Sequence, residues 1–243
     1  PVSWKVHANH LLFALRLGCL GCVIVALACP MRHDVSSSAS VEGTDIALAL
    51  DISGSMMTPD VRPNRLGAAI DVASSFVNAR ESDNMALVVF SGESLSLLPL
   101  TNDRTALLAE LKQVQPGMLA DGTAIGDGLT SAINRIIPGK AKSKSVILIT
   151  DGSNNAGEVS PSIAAEIARQ KGIRVYTIGV GTEGMAPYPA VDIYGTPTGG
   201  TVMAKVEIDE KTLRSIAEQT GGQYFRATDN ASLKEIYSEI DKM

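Results

Sequence analysis

Past residue 43 the chain has no cysteine and no histidine. Cys19, Cys22 and Cys29, with His7, His10 and His33, all fall in or beside an apolar N-terminal stretch. The body that follows therefore holds no internal disulfide, no imidazole base and no thiolate nucleophile. Zinc sites built from His and Cys are excluded there as well. A basic stripe is also missing. Residues 1–43 hold three of the 21 Lys and Arg and two of the 26 Asp and Glu, so a formal charge of −5 for the chain becomes −6 for the body. Phosphate binding relies on clustered Lys and Arg, so nucleic acid is not an expected partner. No GxxxxGKS or GxxxxGKT loop occurs, which removes P-loop nucleotide hydrolysis.

What is present fits one sizeable core plus a short appendage, at 243 residues and 45% hydrophobic content. Residues Leu11–Cys29, "LLFALRLGCLGCVIVALAC", are apolar apart from Arg16. As a helix they would reach roughly 28 Å, close to the thickness of a hydrocarbon core. Arg16 sits near one end, where its side chain can snorkel to the headgroups. A buried helix of a soluble protein and a lipoprotein signal ending in "ALAC" at Cys29 are the alternatives, the second weakened by Ala26 where a large aliphatic residue is usual. A membrane helix is the expectation. Lys5 and Arg16 against Arg32 place the N-terminal side in the cytoplasm and the body outside, with a single span in this chain. The chain opens at Pro1 rather than Met, so earlier residues are expected before it.

The expected division is an N-terminal segment over 1–35, a linker over 36–43 that includes "SSSAS" (Ser36–Ser40), and one domain over 44–243. In that domain strand and helix patterns alternate. Strands are expected at Asp45–Leu50, Ala86–Phe90, Ser145–Thr150 and Arg174–Gly179. Helices are expected at Arg65–Arg80, Arg104–Val114, Ala124–Ile136, Ser162–Lys171, Glu210–Gln219 and Ser232–Asp241. The unbroken apolar runs at Asp45 and Ser145 suit a parallel sheet covered on both faces. Ser94–Leu100 contains Pro99 and reads as an edge strand. Ala190–Lys205 reads as an inserted hairpin with "GTPTGG" as its turn. The fold class is therefore α/β, a doubly wound and mostly parallel sheet flanked by helices.

In such a sheet ligands bind beyond the carboxyl ends of the strands. Three segments offer oxygen atoms there: Asp51, Ser53 and Ser55 after the first strand, Thr123 entering a helix, and Asp151 ending another buried strand. Taken singly, each also reads as ordinary cap or turn chemistry. Together, hydroxyl and carboxylate oxygens form a hard ligand set suited to Mg²⁺, with Mn²⁺ or Ca²⁺ as alternatives. Only two carboxylates are offered, so a bound dication would keep waters and could accept an outside carboxylate.

"DISGS" with Thr123 and Asp151 resembles the metal-ion-dependent adhesion site of von Willebrand factor A domains. The resemblance covers the body from about Thr44 to the end. It implies that Ser53, Ser55 and Thr123 meet the ion directly or through water. Asp51 and Asp151 would hold coordinated waters, and a partner's Glu or Asp would complete the shell. More narrowly, "DGTAIGDGL", "ILITDGSNNAGEVSP", "VYTIGVGTEG" and "TGGQYFRATD" resemble BatA-type proteins of the bacterial aerotolerance operon. The implied context is a membrane-anchored complex with other von Willebrand A proteins and a MoxR-type AAA+ ATPase. That family usually carries a further span after the domain, so a chain ending at Met243 is expected either to be truncated or to depart from that pattern.

Other chemistries fit less well. "GVGTEG" (Gly179–Gly184) satisfies GxGxxG, but the proline-rich run after it cannot open the helix that a dinucleotide site needs. A haloacid-dehalogenase-type phosphatase would use Asp51 as nucleophile and needs a second Asp where Ser53 stands. No enzymatic activity is expected. The carboxylates Glu93, Glu158 and Glu183, and the "SNNAG" loop, read as solvated surface. Asp121 is expected to cap the helix after Thr123, with contact to the ion's waters an alternative open to both Asp121 and Asp127. The reading is a membrane-tethered, metal-dependent protein-interaction domain. A structural subunit whose metal only stabilises loops, and a metal-dependent hydrolase, are the alternatives.

Overall fold

In the computed structural model, which describes residues 4–28, 43–80, 82–152, 154–181, 184–191, 197–206 and 208–240, the chain divides into two units, 1–40 and 41–243. In the first, helix α1 spans Trp4–Ala28, beginning seven residues before the expected span. Leu11, Phe13, Leu15, Leu17, Leu20, Val23 and Ile24 on it are exposed. Among the described residues no helix is long and apolar enough to cross a membrane. Cys29, the end of the expected span, and residues 36–42 of the expected linker lie outside the described residues.

In the second unit the run "DIALAL" lies within β1 (Thr44–Asp51), buried along its length. Strand side chains alternate between faces. Ile46, Leu48 and Leu50 accordingly enter one core, and Ala47 and Ala49 the other. On the first face pack α2 (Arg65–Ala79), α3 (Arg104–Gln113) and α7 (Asn230–Ile240), through residues such as Val72, Phe76, Leu107, Leu111, Leu233 and Ile236. On the second pack α4 (Ile125–Ile136), α5 (Pro161–Gln170) and α6 (Glu210–Thr220), through Leu129, Ile133, Ala164, Ala168, Leu213 and Ile216. Each large side chain buried in these layers contributes roughly 1.5–3 kcal/mol by leaving water. Two covered faces are why the strands read as unbroken apolar runs.

Strand β1 lies between β2 (Asn84–Phe90) and β4 (Ser143–Thr150), parallel to both. Outward from β4 come β5 (Arg174–Val180) and β8 (Tyr224–Ala227), both parallel. Outward from β2 comes β3 (Ser94–Thr101), antiparallel, which gives the order β3-β2-β1-β4-β5-β8. Pro99 sits in this edge strand as expected, where a missing N–H costs no ladder bond. Strand order reverses between β1 and β4, and sheets of this kind form their ligand crevice at the carboxyl ends of the strands at such a point. Asp51 ends β1, and Asp151 follows β4.

The hairpin differs from its expected limits. It pairs β6 (Gly184–Val191) with β7 (Pro197–Val206), so its first strand starts six residues early. Pro197–Gly200 of the expected turn belong to β7, and Gly195 and Thr196 lie outside the described residues. Pro187 and Pro189 concealed the strand from a pattern reading, yet a two-stranded ribbon has free edges that tolerate them. Since β6 opens at Gly184, no helix follows "GVGTEG". Strand β8 was not expected, because four residues are too few to display an alternation.

Candidate metal centre

The crevice is built from three loops. After β1 the chain turns at Ser53, the residue before a short 3₁₀ turn over Gly54–Met57. Asp51 is fully buried. Its Oδ1 accepts from the Ser53 backbone N–H at 2.8 Å and its Oδ2 from the Thr150 hydroxyl at 2.5 Å. These bonds fold the loop back on its own carboxylate, so the hydroxyls of Ser53 and Ser55 come within 3.0 Å of each other. The Ser55 hydroxyl donates to Asp151 Oδ1 at 2.7 Å. That bond spends the Ser55 proton, so Ser53 is the donor in the Ser53–Ser55 contact and Ser55 keeps one lone pair for a cation.

The second loop brings Thr123. It is pinned to the end of β2 by Ser91, whose hydroxyl donates to the Gly122 carbonyl at 3.0 Å and whose carbonyl accepts from Ala124 N–H at 2.6 Å. From the third loop, Asn155 Oδ1 accepts from Thr123 N–H at 2.8 Å, and Asn154 Oδ1 from Ile125 N–H at 2.8 Å. Asn154 therefore does the work expected of Asp121. The N-cap position of α4 is Ala124, which makes no side-chain cap bond, and a residue of another loop satisfies the first free N–H. Asp127 does not serve the site either, since its carboxylate accepts from the backbone N–H groups of Glu158 and Val159 at 3.1 and 2.8 Å. Thr123 itself is nearly buried, and a Cβ built on Gly152 would lie 3.5 Å from its Oγ1. All three segments named from the sequence thus meet at one crevice.

Sequence reading missed the residues behind them. Thr150 read as the last residue of a strand, and Ser91, just past the strand Ala86–Phe90, was not singled out. Arg65 read only as the start of a helix, yet it is fully buried and donates from Nη1 to Asp151 Oδ2 at 2.6 Å. Its Nε and Nη2 donate to Asp60 at 2.8 and 2.6 Å. The "SNNAG" segment carried a usable signal, because two consecutive Asn beside a buried strand end are candidates for bonding backbone groups.

Burial, and then the charge of Asp151, push the Asp51 carboxyl up to about 7. Burial also raises Asp151, against the pull of Arg65 and the Ser55 hydroxyl. Two carboxylates with raised proton affinity, facing clustered hydroxyls, form a site short of positive charge, and a hard dication suits that donor set. Among the described residues no group of three or more His, Cys, Asp or Glu is placed to hold a metal. Three of the five residues in this donor set, Ser53, Ser55 and Thr123, are hydroxyls, so a site of this kind does not depend on such a group.

Residues 45–239 match the von Willebrand factor type A domain. The chain belongs to that family. A UPF0353 protein of Mycolicibacterium paratuberculosis is 30% identical over the whole of this chain, which spans 70% of that protein. Two solved structures are similar at 31% and 32% identity, with TM-scores of 0.68 and 0.69. One is an aerotolerance-related membrane protein from Bacteroides fragilis, covering 83% of this chain and 99% of its own. The other is BatB from Bacteroides thetaiotaomicron, covering 82% and 97%. A mussel byssus protein, proximal thread matrix protein 1, shares the fold at 24% identity and a TM-score of 0.61, over 82% of this chain and 45% of its own; in that structure zinc occupies the adhesion-site motif. In this von Willebrand A domain, Ser55 bonds Asp151 and lies 3.0 Å from Ser53, while Asp51 is held by Ser53 and Thr150.

Proposed function

We propose that this chain is a membrane-tethered interaction domain that binds a carboxylate of a protein partner through a divalent cation, with Mg²⁺ the favoured ion. The supporting observation is the bond from the Ser55 hydroxyl to Asp151, with Ser53 Oγ 3.0 Å from Ser55 Oγ, because it aims hydroxyl lone pairs into a crevice floored by buried carboxylates. Ser53, Ser55 and Thr123 would contact the ion or its waters, and Asp51 and Asp151 would balance its charge. Bound there, the ion would supply Lewis acidity toward one further anionic oxygen. The tether is α1, whose exposed Leu11, Phe13, Leu15, Leu17, Leu20, Val23 and Ile24 would otherwise face water. On the likeness to Bat-type proteins, the setting is a bacterial inner membrane with the domain in the periplasm. A MoxR-type AAA+ ATPase and other von Willebrand A proteins are the partners to test first.

Calorimetric titration of Mg²⁺ and Mn²⁺ into the detergent-solubilised chain tests the reading, with acetate as the carboxylate mimic. Saturable binding that acetate tightens, and that Asp51→Ala abolishes in a folded protein, is the expected result. Binding that persists in Asp51→Ala would refute it.

A further inference from the structure

Arginine is rarely buried unless paired, because a lone guanidinium loses its hydration without return. Arg65 is 0% exposed, and its donors are divided between two carboxylates. Asp60 takes Nε and Nη2 in a two-point fork, which fixes the plane of the guanidinium. Nη1 is left to meet Asp151 Oδ2 at 2.6 Å, both side chains being fully buried. The far side of the guanidinium rests on Gly181, where φ is +122° and a Cβ would come within 2.5 Å of Arg65 Cζ. Only glycine combines that backbone with that clearance. A cation is therefore locked against a carboxylate of the metal site, an arrangement that opposes a dication.

We infer that Arg65 is a positioning residue that keeps the metal centre dependent on a partner's carboxylate. Resting on the metal-site reading above, the argument runs through Asp151. With Oδ2 held by Arg65 and Oδ1 accepting from Ser55, Asp151 cannot swing onto the ion and give it full charge. The dication is left undercompensated, and an outside carboxylate makes good the deficit. Asp60 sets the strength of this restraint, because it shares the charge of Arg65 before the remainder reaches Asp151. A residue that merely held the loops together would have no such directional effect on ion affinity.

Calorimetric Mn²⁺ titration of the full chain in detergent, with circular dichroism to check each fold, separates these roles by sign. Arg65→Gln removes a positive charge close to the ion and should tighten Mn²⁺ binding on the order of tenfold. It should also shrink the gain in affinity that saturating acetate gives the wild type. Asp60→Asn leaves the charge of Arg65 uncompensated and should weaken Mn²⁺ binding on the order of tenfold. Weaker or unchanged binding in folded Arg65→Gln would overturn the inference while leaving the metal-site reading standing. If Arg65→Gln does not fold, Asp60→Asn decides, and unchanged or tighter binding there overturns it. Wild-type binding that survives Asp51→Ala, or no saturable binding in either the wild type or Arg65→Gln, would overturn the metal-site reading and this inference together.

Discussion

Asp51 carries the largest electrostatic strain at the site. Its carboxyl is raised to about 7 by burial and by Asp151, against an ordinary value of 3.8. An acid whose folded-state pKa is raised binds its proton more tightly in the native protein. The associated stability is present in full below about pH 3.8 and is lost as pH rises through about 7. Metal-free protein should therefore show a Tm that falls between about pH 4 and about pH 7. Asp51→Asn, which cannot ionise, should flatten that fall, as thermal scans in chelator across the range would show. A Tm that rises over the same interval in the wild type would mean that Asp51 stays ionised in the fold.

At the scale of elements, the start of α4 rests on a loop distant in sequence. Asn154 accepts from Ile125 N–H and, more weakly at 3.5 Å, from Gly126 N–H, while Asn155 holds Thr123 N–H. Removing a cap side chain costs about 0.5–2 kcal/mol. Asn154→Ala should lower unfolding stability by about 1 kcal/mol in urea melts. It should also weaken Mn²⁺ binding more than that loss of stability suggests, since α4 and Thr123 share the loop it releases. Equal Mn²⁺ affinity in wild type and variant would show that Thr123 is held without this bond.

For the whole domain, the crevice closes three loops around groups of like charge, so the cation should act as a structural brace as well as a ligand. A ligand that binds only the native state stabilises it by about 2.7 kcal/mol at a hundredfold excess over Kd. Saturating Mg²⁺ or Mn²⁺ should raise the wild-type Tm near neutral pH, and chelator should reverse the rise. Asp51→Ala should show neither change. An ion-insensitive wild-type Tm would leave the loops braced by the protein alone.

Sequence by itself determined the layered α/β architecture, because apolar runs at Asp45–Leu50 and Ser145–Thr150 have no stable home except a sheet covered on both faces. It also pointed to Asp51, Ser53, Ser55, Thr123 and Asp151, since carboxylates and hydroxyls closing buried strands are chemically out of place. Limits such as those of β6 and β8 escaped it, because prolines on a free ribbon edge and a four-residue strand leave no periodic trace. What only the tertiary structure decided is how the site is held. Arg65 is 86 residues from Asp151, Thr150 is 99 from Asp51, and Asn154 is 29 from Ile125. Those bonds exist because β1 and β4 lie side by side and α2 and α4 cover opposite faces. No local pattern encodes such a meeting, so in the sequence the buried Arg65 reads only as the first turn of a helix.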